Sequence, residues 1–409
     1  MPNDAPLSKP PLSKSPLVKS SVTSRAYLTV VTRSHLNFAI ALAESLYTAE
    51  PEVPFYILVA DRQRKDAGAD PGLARLSHEQ LLFIDDLDIL NLQRFAFQYT
   101  AFELVCACKA FGISELVRRG FDAVVYLDAD IWVYRSLETI WQLLEEYSII
   151  LTPHVIHPHP LDGKRPTDAE YLKVGVFNAG FIAIRGDDTG KAMLDWWRSQ
   201  MQTECYVDIL NHHFVDQKWL DLVPGLFDSV HVLRQPGFNA GHWSLSQHPI
   251  SEGGDGSFRI GQQPLVFFHF SKFLPDAPFA FEKQQTRLRW EDSPTLKRLV
   301  VEYHAHLQVA GNDDRHNAKQ TKYGFATMNC GTLIQIHWRE AIRRGHPYLK
   351  TIEDPFDSRT NPSLIRHFTS IESEATSWRA DWRYGIPKKS WLSRTWKKLR
   401  NDIVSRWRK

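Results

Sequence analysis

An α/β fold with a mostly parallel sheet flanked by helices is what this sequence predicts, on three observations. Short apolar, β-branched runs recur at residues 27–32 (YLTVVT), 55–60 (FYILVA) and 123–127 (AVVYL). Helix-like segments separate them, the pattern of crossover connections between parallel strands. The third run ends on two carboxylates, Asp128 and Asp130, and in open α/β sheets ligands bind just beyond the carboxyl ends of strands.

That pair organises the chain. In an extended segment residues i and i+2 point to the same side, so Asp128 and Asp130 are expected to aim together past the sheet. Two like charges held so need a cation, and a hard divalent ion suits carboxylate oxygens. A diphosphate held by that metal would sit there. The chain holds a second D-x-D, Asp86-Leu87-Asp88, but there an acidic cap on a helix over residues 86–97 is the better reading.

Composition narrows the classes. A chain of 409 residues with 43% hydrophobic content can build two or three domains, and a net charge of +2 argues against nucleic acid as a bulk partner. The four cysteines, Cys106, Cys108, Cys205 and Cys330, form no C-x-x-C pair, so reduced thiols in a cytoplasmic protein are expected, without structural zinc. No apolar run is long enough to span a bilayer, and no signal-peptide core is seen.

Residues 1–24 carry a Pro/Ser/Lys near-repeat, read as a disordered leader. After the first strand, a helix is expected over 36–47. Residues 81–84 read as a strand, then 86–97 and 102–119 as helices. Lys109 falls mid-helix among Cys106, Ala110 and Phe111, where snorkelling to the surface is the plain expectation. A helix over 137–146 and a strand over 148–151 follow. Residues 152–171 read as an exposed loop holding His154, His157 and His159, with no ligand role assigned. Residues 174–184 (VGVFNAGFIAI) form a strand interrupted at Asn178-Ala179-Gly180, which signals a bulge or a close backbone approach to a ligand. Asp216 is placed to cap a helix beginning at Gln217. Residues 264–270 (PLVFFHF) end a further strand near His269.

In order, YLDAD, FNAG, DQ, FN and a strand ending H-F-S-K resemble the GT-A glycosyltransferases, specifically the retaining glycosyltransferase family 8 and its bacterial relatives. The resemblance covers about residues 27–272. It implies a Rossmann-like GT-A catalytic domain over 25–290, a nucleotide-sugar donor (UDP-linked by family habit) and a Mn²⁺ or Mg²⁺ ion. Asp128, Asp130 and His269 match its metal ligands. Asn178, Asp216 and Gln217 match positions lining the donor sugar near its anomeric carbon. Lys109 is similar in placement to a basic donor contact, and Thr32 and Asn37 fall where the nucleoside is received. The family pattern H-[YF]-x-G is broken, since Ser271-Lys272 stands where a small residue is expected; Lys272 is therefore assigned to the pyrophosphate.

The chemistry fits these residues independently. Cleaving a sugar–diphosphate bond develops negative charge on the leaving oxygen, which a divalent ion neutralises. With no obvious paired nucleophile, same-face attack is one route to retention and a covalent Asp216 adduct is the other. Two other classes compete. An aspartate-dependent phosphatase is disfavoured by Trp132 in the position of its usual Thr or Val. A non-catalytic glycan-binding protein is disfavoured by the intact Asp128/Asp130/His269 set.

Residues 291–385 read as a small helical accessory region, with helices over 293–308 and 331–344. Residues 386–409 carry nine cationic side chains against one acid, Asp402. Leu392, Trp396, Leu399, Ile403 and Trp407 are spaced as one helical stripe. That pattern fits a helix lying on an anionic membrane surface, which would put the site at the inner face near a lipid-linked acceptor. A helix docking on the catalytic domain is the alternative.

Overall fold

The computed structural model describes residues 22–62, 80–279, 285–311, 323–346, 349–359 and 363–370. The basic stripe and most of the leader lie outside them. Three leader residues do not, and they are ordered: Val22 is buried, and Asp122 accepts the backbone N–H groups of Thr23 and Ser24 at 3.1 and 2.9 Å. The chain is thus anchored before its first strand rather than at Ala26.

The core is a seven-stranded sheet. Strands β1 (Arg25–Val31), β2 (Phe55–Val59), β3 (Leu81–Phe83) and β4 (Ala123–Leu127) are mutually parallel, as the alternating pattern predicts. β7 (Phe177–Arg185) inserts antiparallel between β4 and β6 (Ile149–Pro153), and strand Val230–Val232 closes the far edge parallel to β6. Side chains alternate across the sheet with period two. From β4, Val124 and Tyr126 enter one core layer, and Ala123, Val125 and Leu127 the other. Helices α3 (Ala101–Arg118) and α6 (Asp188–Met201) cover the first face. Helices α1 (Leu36–Ala49) and α4 (Glu138–Glu146) cover the second. Burial on both faces is why these strands are near-continuous apolar runs.

The helix expected over 331–344 spans Ile336–Arg343, and two other departures have a local reason. α2 runs Leu92–Phe97, not from Asp86. Asp86 accepts the Phe83 N–H at 2.7 Å to close a short turn, while Asn91 supplies the α2 cap to Arg94 N–H at 3.1 Å. The proline-rich loop is interrupted by α5 (Asp168–Val174), which Thr167 and Glu170 open as a capping box. All four cysteines are free thiols.

A second, three-stranded sheet matters more for function. β5 (Ile131–Val133) follows the Asp pair and runs antiparallel to strand Phe267–His269, which runs parallel to Ala240–Gly241. Its register sets His269 opposite Ile131, and Phe270 N–H donates to the Asp130 carbonyl at 2.8 Å. The pairing carries His269 to the acids over a long sequence separation.

Candidate active site

The two aspartates converge by a turn rather than by strand alternation. β4 ends at Leu127, and Ile131 N–H closes a turn onto the Asp128 carbonyl at 3.1 Å. Asp128, Asp130 and His269 each offer a ligand atom, all within 4.8 Å of one another. His269 Nε2 lies 3.0 Å from Asp130 Oδ1 and 3.7 Å from Asp128 Oδ2. Burial opposes charge on both His269 and Asp130, but the pairing outweighs it. It raises the imidazole above its ordinary value and lowers the carboxyl below its own.

The donor set suits a divalent ion. Two carboxylates with an imidazole can hold Mn²⁺ or Mg²⁺, and His269 is oriented for it from behind. Its Nδ1 sits 3.2 Å from Asn178 Oδ1. That oxygen also accepts from Gly180 N–H at 2.9 Å and Asn239 Nδ2 at 3.1 Å. An acceptor at Nδ1 makes that nitrogen the proton carrier and leaves Nε2 for a metal.

β7 runs on through Asn178, but its pairing with β6 shifts register between Leu151, opposite Ile182, and Pro153, opposite Phe177. The irregularity expected at Asn178-Ala179-Gly180 is therefore present, and there Asn178 Oδ1 meets His269 Nδ1. Gly180 explains the rest of the motif. A Cβ on it would lie 2.2 Å from His269 Cε1, 2.5 Å from Nδ1 and 2.7 Å from Asn178 Oδ1, so the close approach is by the His269 side chain. Gly180→Ala is expected to displace His269 and cost about 1–3 kcal/mol of stability. Denaturation and Mn²⁺ titration check this, and an alanine variant with wild-type Mn²⁺ affinity would refute it.

Lys109 does not snorkel. It is buried, and its Nζ meets Ala179 O at 3.0 Å, Asp128 Oδ1 at 3.1 Å and Asp216 Oδ2 at 3.2 Å. One of its N–H groups donates to the Ala179 carbonyl, and the two carboxylates pair with its charge. Burial works against its charge, yet the two carboxylates hold its pKa well above the usual value. The aromatic face of Tyr126 lies 4.9 Å from the ammonium, and the Tyr126 hydroxyl donates to Asp128 Oδ1 at 2.6 Å.

Asp216 was expected to cap the following helix, but its side chain makes no cap. It turns inward to Lys109 instead, in a site where burial pushes its carboxyl up. The following turn, Gln217–Leu222, is a 3-10 helix. Gln217 ties the region together, accepting from Ala179 N–H at 3.1 Å and donating to Val174 O at 2.9 Å.

His154 and His159 are buried, against the expectation of exposed loop residues. His154 Nε2 pairs with Asn178 Nδ2 at 3.1 Å. Burial pushes the His154 imidazole down to about 4 and the His242 imidazole to about 3, with the Lys272 charge adding to both. Lys272 itself has φ 64, a left-handed conformation that glycine adopts most easily. This is why a small residue suits that position and what a lysine there must tolerate.

Seven predicted residues therefore share one network: Lys109, Asp128, Asp130, Asn178, Asp216, Gln217 and His269. Three stand at its margin. Thr32 is buried and bonds Ser34 Oγ at 3.0 Å, Asn37 opens α1, and Lys272 follows the His269 strand.

No known protein-family profile matches the chain. It is similar to two uncharacterized proteins of Bacillus subtilis (strain 168). YfnF is 28% identical over 251 residues, covering 61% of this chain and 81% of YfnF. YfnD is 22% identical over 290 residues, covering 69% and 88%. Among solved structures it is similar to the galactosyltransferase LgtC in complex with donor and acceptor sugar analogs. There the TM-score is 0.42 with 16% identity, over 71% of this chain and 99% of LgtC. For the apo-form glycosyltransferase GlyE of Streptococcus pneumoniae TIGR4 the TM-score is 0.41 with 17% identity, over 72% and 64%.

Proposed function

We propose that this chain is a metal-dependent, retaining glycosyltransferase of the hexosyltransferase type. It would move a sugar from a nucleotide-sugar, UDP-linked, to a glycan or lipid-linked acceptor. The observation that carries this reading is the convergence of Asp128, Asp130 and His269 within 4.8 Å, with His269 oriented from behind by Asn178.

A bound Mn²⁺ or Mg²⁺ would neutralise the charge developing on the leaving diphosphate. The chain's own residues do the rest. Asp128, Asp130 and His269 fix where that charge is met. Lys109 holds Asp128 and Asp216 in register. Asn178, Asp216 and Gln217 form the wall assigned to the sugar side, Thr32 and Asn37 receive the nucleoside, and Lys272 takes the pyrophosphate. In the transfer itself, the bond between the anomeric carbon and phosphate oxygen breaks as the acceptor oxygen bonds the same face of that carbon. The acceptor's proton goes to the departing phosphate. Same-face transfer is favoured over a covalent Asp216 adduct because Asp216 is 1% exposed and tied to Lys109.

A panel of UDP- and GDP-sugars, assayed for Mn²⁺-dependent hydrolysis and for product stereochemistry by NMR, tests this reading. An α-linked donor should give an α product; a β product would contradict retention. No helix among the described residues is long and apolar enough to cross a membrane. Contact with an anionic membrane at the cytoplasmic face is proposed through residues 386–409. Failure of the full chain to cosediment with anionic vesicles at low salt would remove it.

A further inference from the structure

The 3-10 helix Gln217–Leu222 has two sides, because side chains three residues apart eclipse in such a helix. Lys218 and Asp221 share one side. There Lys218 donates to Leu172 O at 2.8 Å, and the Asp221 carboxylate accepts the Val176 N–H at 2.7 Å. Trp219 and Leu222 share the other side. The Trp219 ring stands 6.2 Å from those of Trp196 and His213, and Trp196 meets Phe227 at 5.6 Å. From these adjoining elements five aliphatic side chains project into water: Val207, Ile209, Leu210, Leu222 and Leu226. Single exposed leucines are ordinary, but a group on one face marks a docking surface.

The charge around this face points to its occupant. Between Thr203 and Asp228 five acids stand against one lysine, Lys218. Lys109 holds Asp216, and Lys218 pairs with Asp221 at 2.6 Å. Glu204, Asp208 and Asp228 remain as negative charge, beside one cation, Arg343, which lies 3.9 Å from the Tyr206 ring. Acidic surroundings repel an anionic lipid surface and suit an apolar stripe flanked by cations.

The chain carries such a stripe itself. Residues 386–409 hold Leu392, Trp396, Leu399, Ile403 and Trp407 at helical spacing, among nine cationic side chains and one acid. The described residues leading to it stop at 370, near the face. Phe368 stacks on Trp338 at 4.8 Å, and the helix of Trp338, Ile336–Arg343, ends at Tyr206 through Arg343. Residues 371–391 reach about 70 Å when extended, ample to bring the stripe back to the face.

We propose that residues 386–409 dock on this face of their own chain. The stripe covers Val207, Leu210, Leu222 and Leu226, and its cations meet Glu204, Asp208 and Asp228. The docked segment then lies on the same short helix as Gln217 of the candidate site. This inference does not rest on the reaction proposed above. One stripe cannot cover two surfaces, so the face and an anionic membrane compete for it.

Carbodiimide cross-linking of the full chain, with the joined peptides read by mass spectrometry, tests it. Lys397 or Lys398 should be joined to Glu204, Asp208 or Asp228. Leu210→Lys on the face and Trp396→Glu in the stripe should each reduce those links to background. Leu210 is 61% exposed, so its variant should keep the wild-type circular dichroism, which separates lost docking from lost folding. Vesicles of phosphatidylglycerol and phosphatidylcholine should also remove the links. Absence of the links in the wild-type chain overturns the proposal, whether or not the chain binds such vesicles. Links that persist in both variants overturn it as well. In a mixture of isotope-labelled and unlabelled protein, links between the two kinds of chain would make the occupant a second copy and sink it equally.

Discussion

Asp130→Ala should leave a folded protein without sugar-transfer activity. Removing this carboxylate takes away one of the two proposed anionic metal ligands and the partner of His269 Nε2 at 3.0 Å. A metal's charge stabilisation of a leaving oxygen amounts to several kcal/mol. Losing about 4 kcal/mol of it lowers the rate about a thousandfold. The melting temperature without nucleotide should change little, because the Asp130 side chain is 29% exposed and its loss also relieves repulsion from Asp128. Turnover and thermal melting of the same preparation check both halves. An active Asp130→Ala variant would detach the acid pair from the reaction.

Lys109→Met should be the most destabilising single change at the site. Its ammonium is the cation between Asp128 and Asp216 at 3.1 and 3.2 Å, and methionine fills the same space without charge. Breaking a buried pair from one side costs about 3–5 kcal/mol, because the abandoned carboxylates stay buried. Asp216 bears most of this, at 1% exposure. The double variant Lys109→Met/Asp216→Asn should recover part of the loss, as expected when two residues share one interaction. Urea denaturation of the single and double variants measures the coupling. A Lys109→Met protein as stable as the wild type would show that the lysine carries no such load.

Much of this site is legible in the sequence because its residues stand at strand ends. An apolar run ending on Asp128 and Asp130, and another on His269, mark two strand ends, although neither says that a three-residue strand pairing brings them together. What escapes the sequence is burial inside helices and loops. Lys109 has apolar neighbours on its helix, and that was the available signal of a buried charge; snorkelling is the commoner outcome for such a lysine. His154 and His159 sit among prolines that signal an exposed loop, yet the capping box at Thr167 and Glu170 starts a helix whose Tyr171 packs against both imidazoles, with ring centroids 5.2 and 5.9 Å apart. Asp216 has the placement of a helix cap, and only the tertiary structure offers it a buried lysine instead.

The central claim is that a divalent ion at Asp128, Asp130 and His269 is required for cleavage of a nucleotide-sugar. Donor hydrolysis by the full chain, measured in EDTA and again after Mn²⁺ is returned in excess, tests it most directly. The account predicts no turnover in EDTA, recovery with Mn²⁺, and no recovery in Asp130→Ala. Full turnover in EDTA would contradict it.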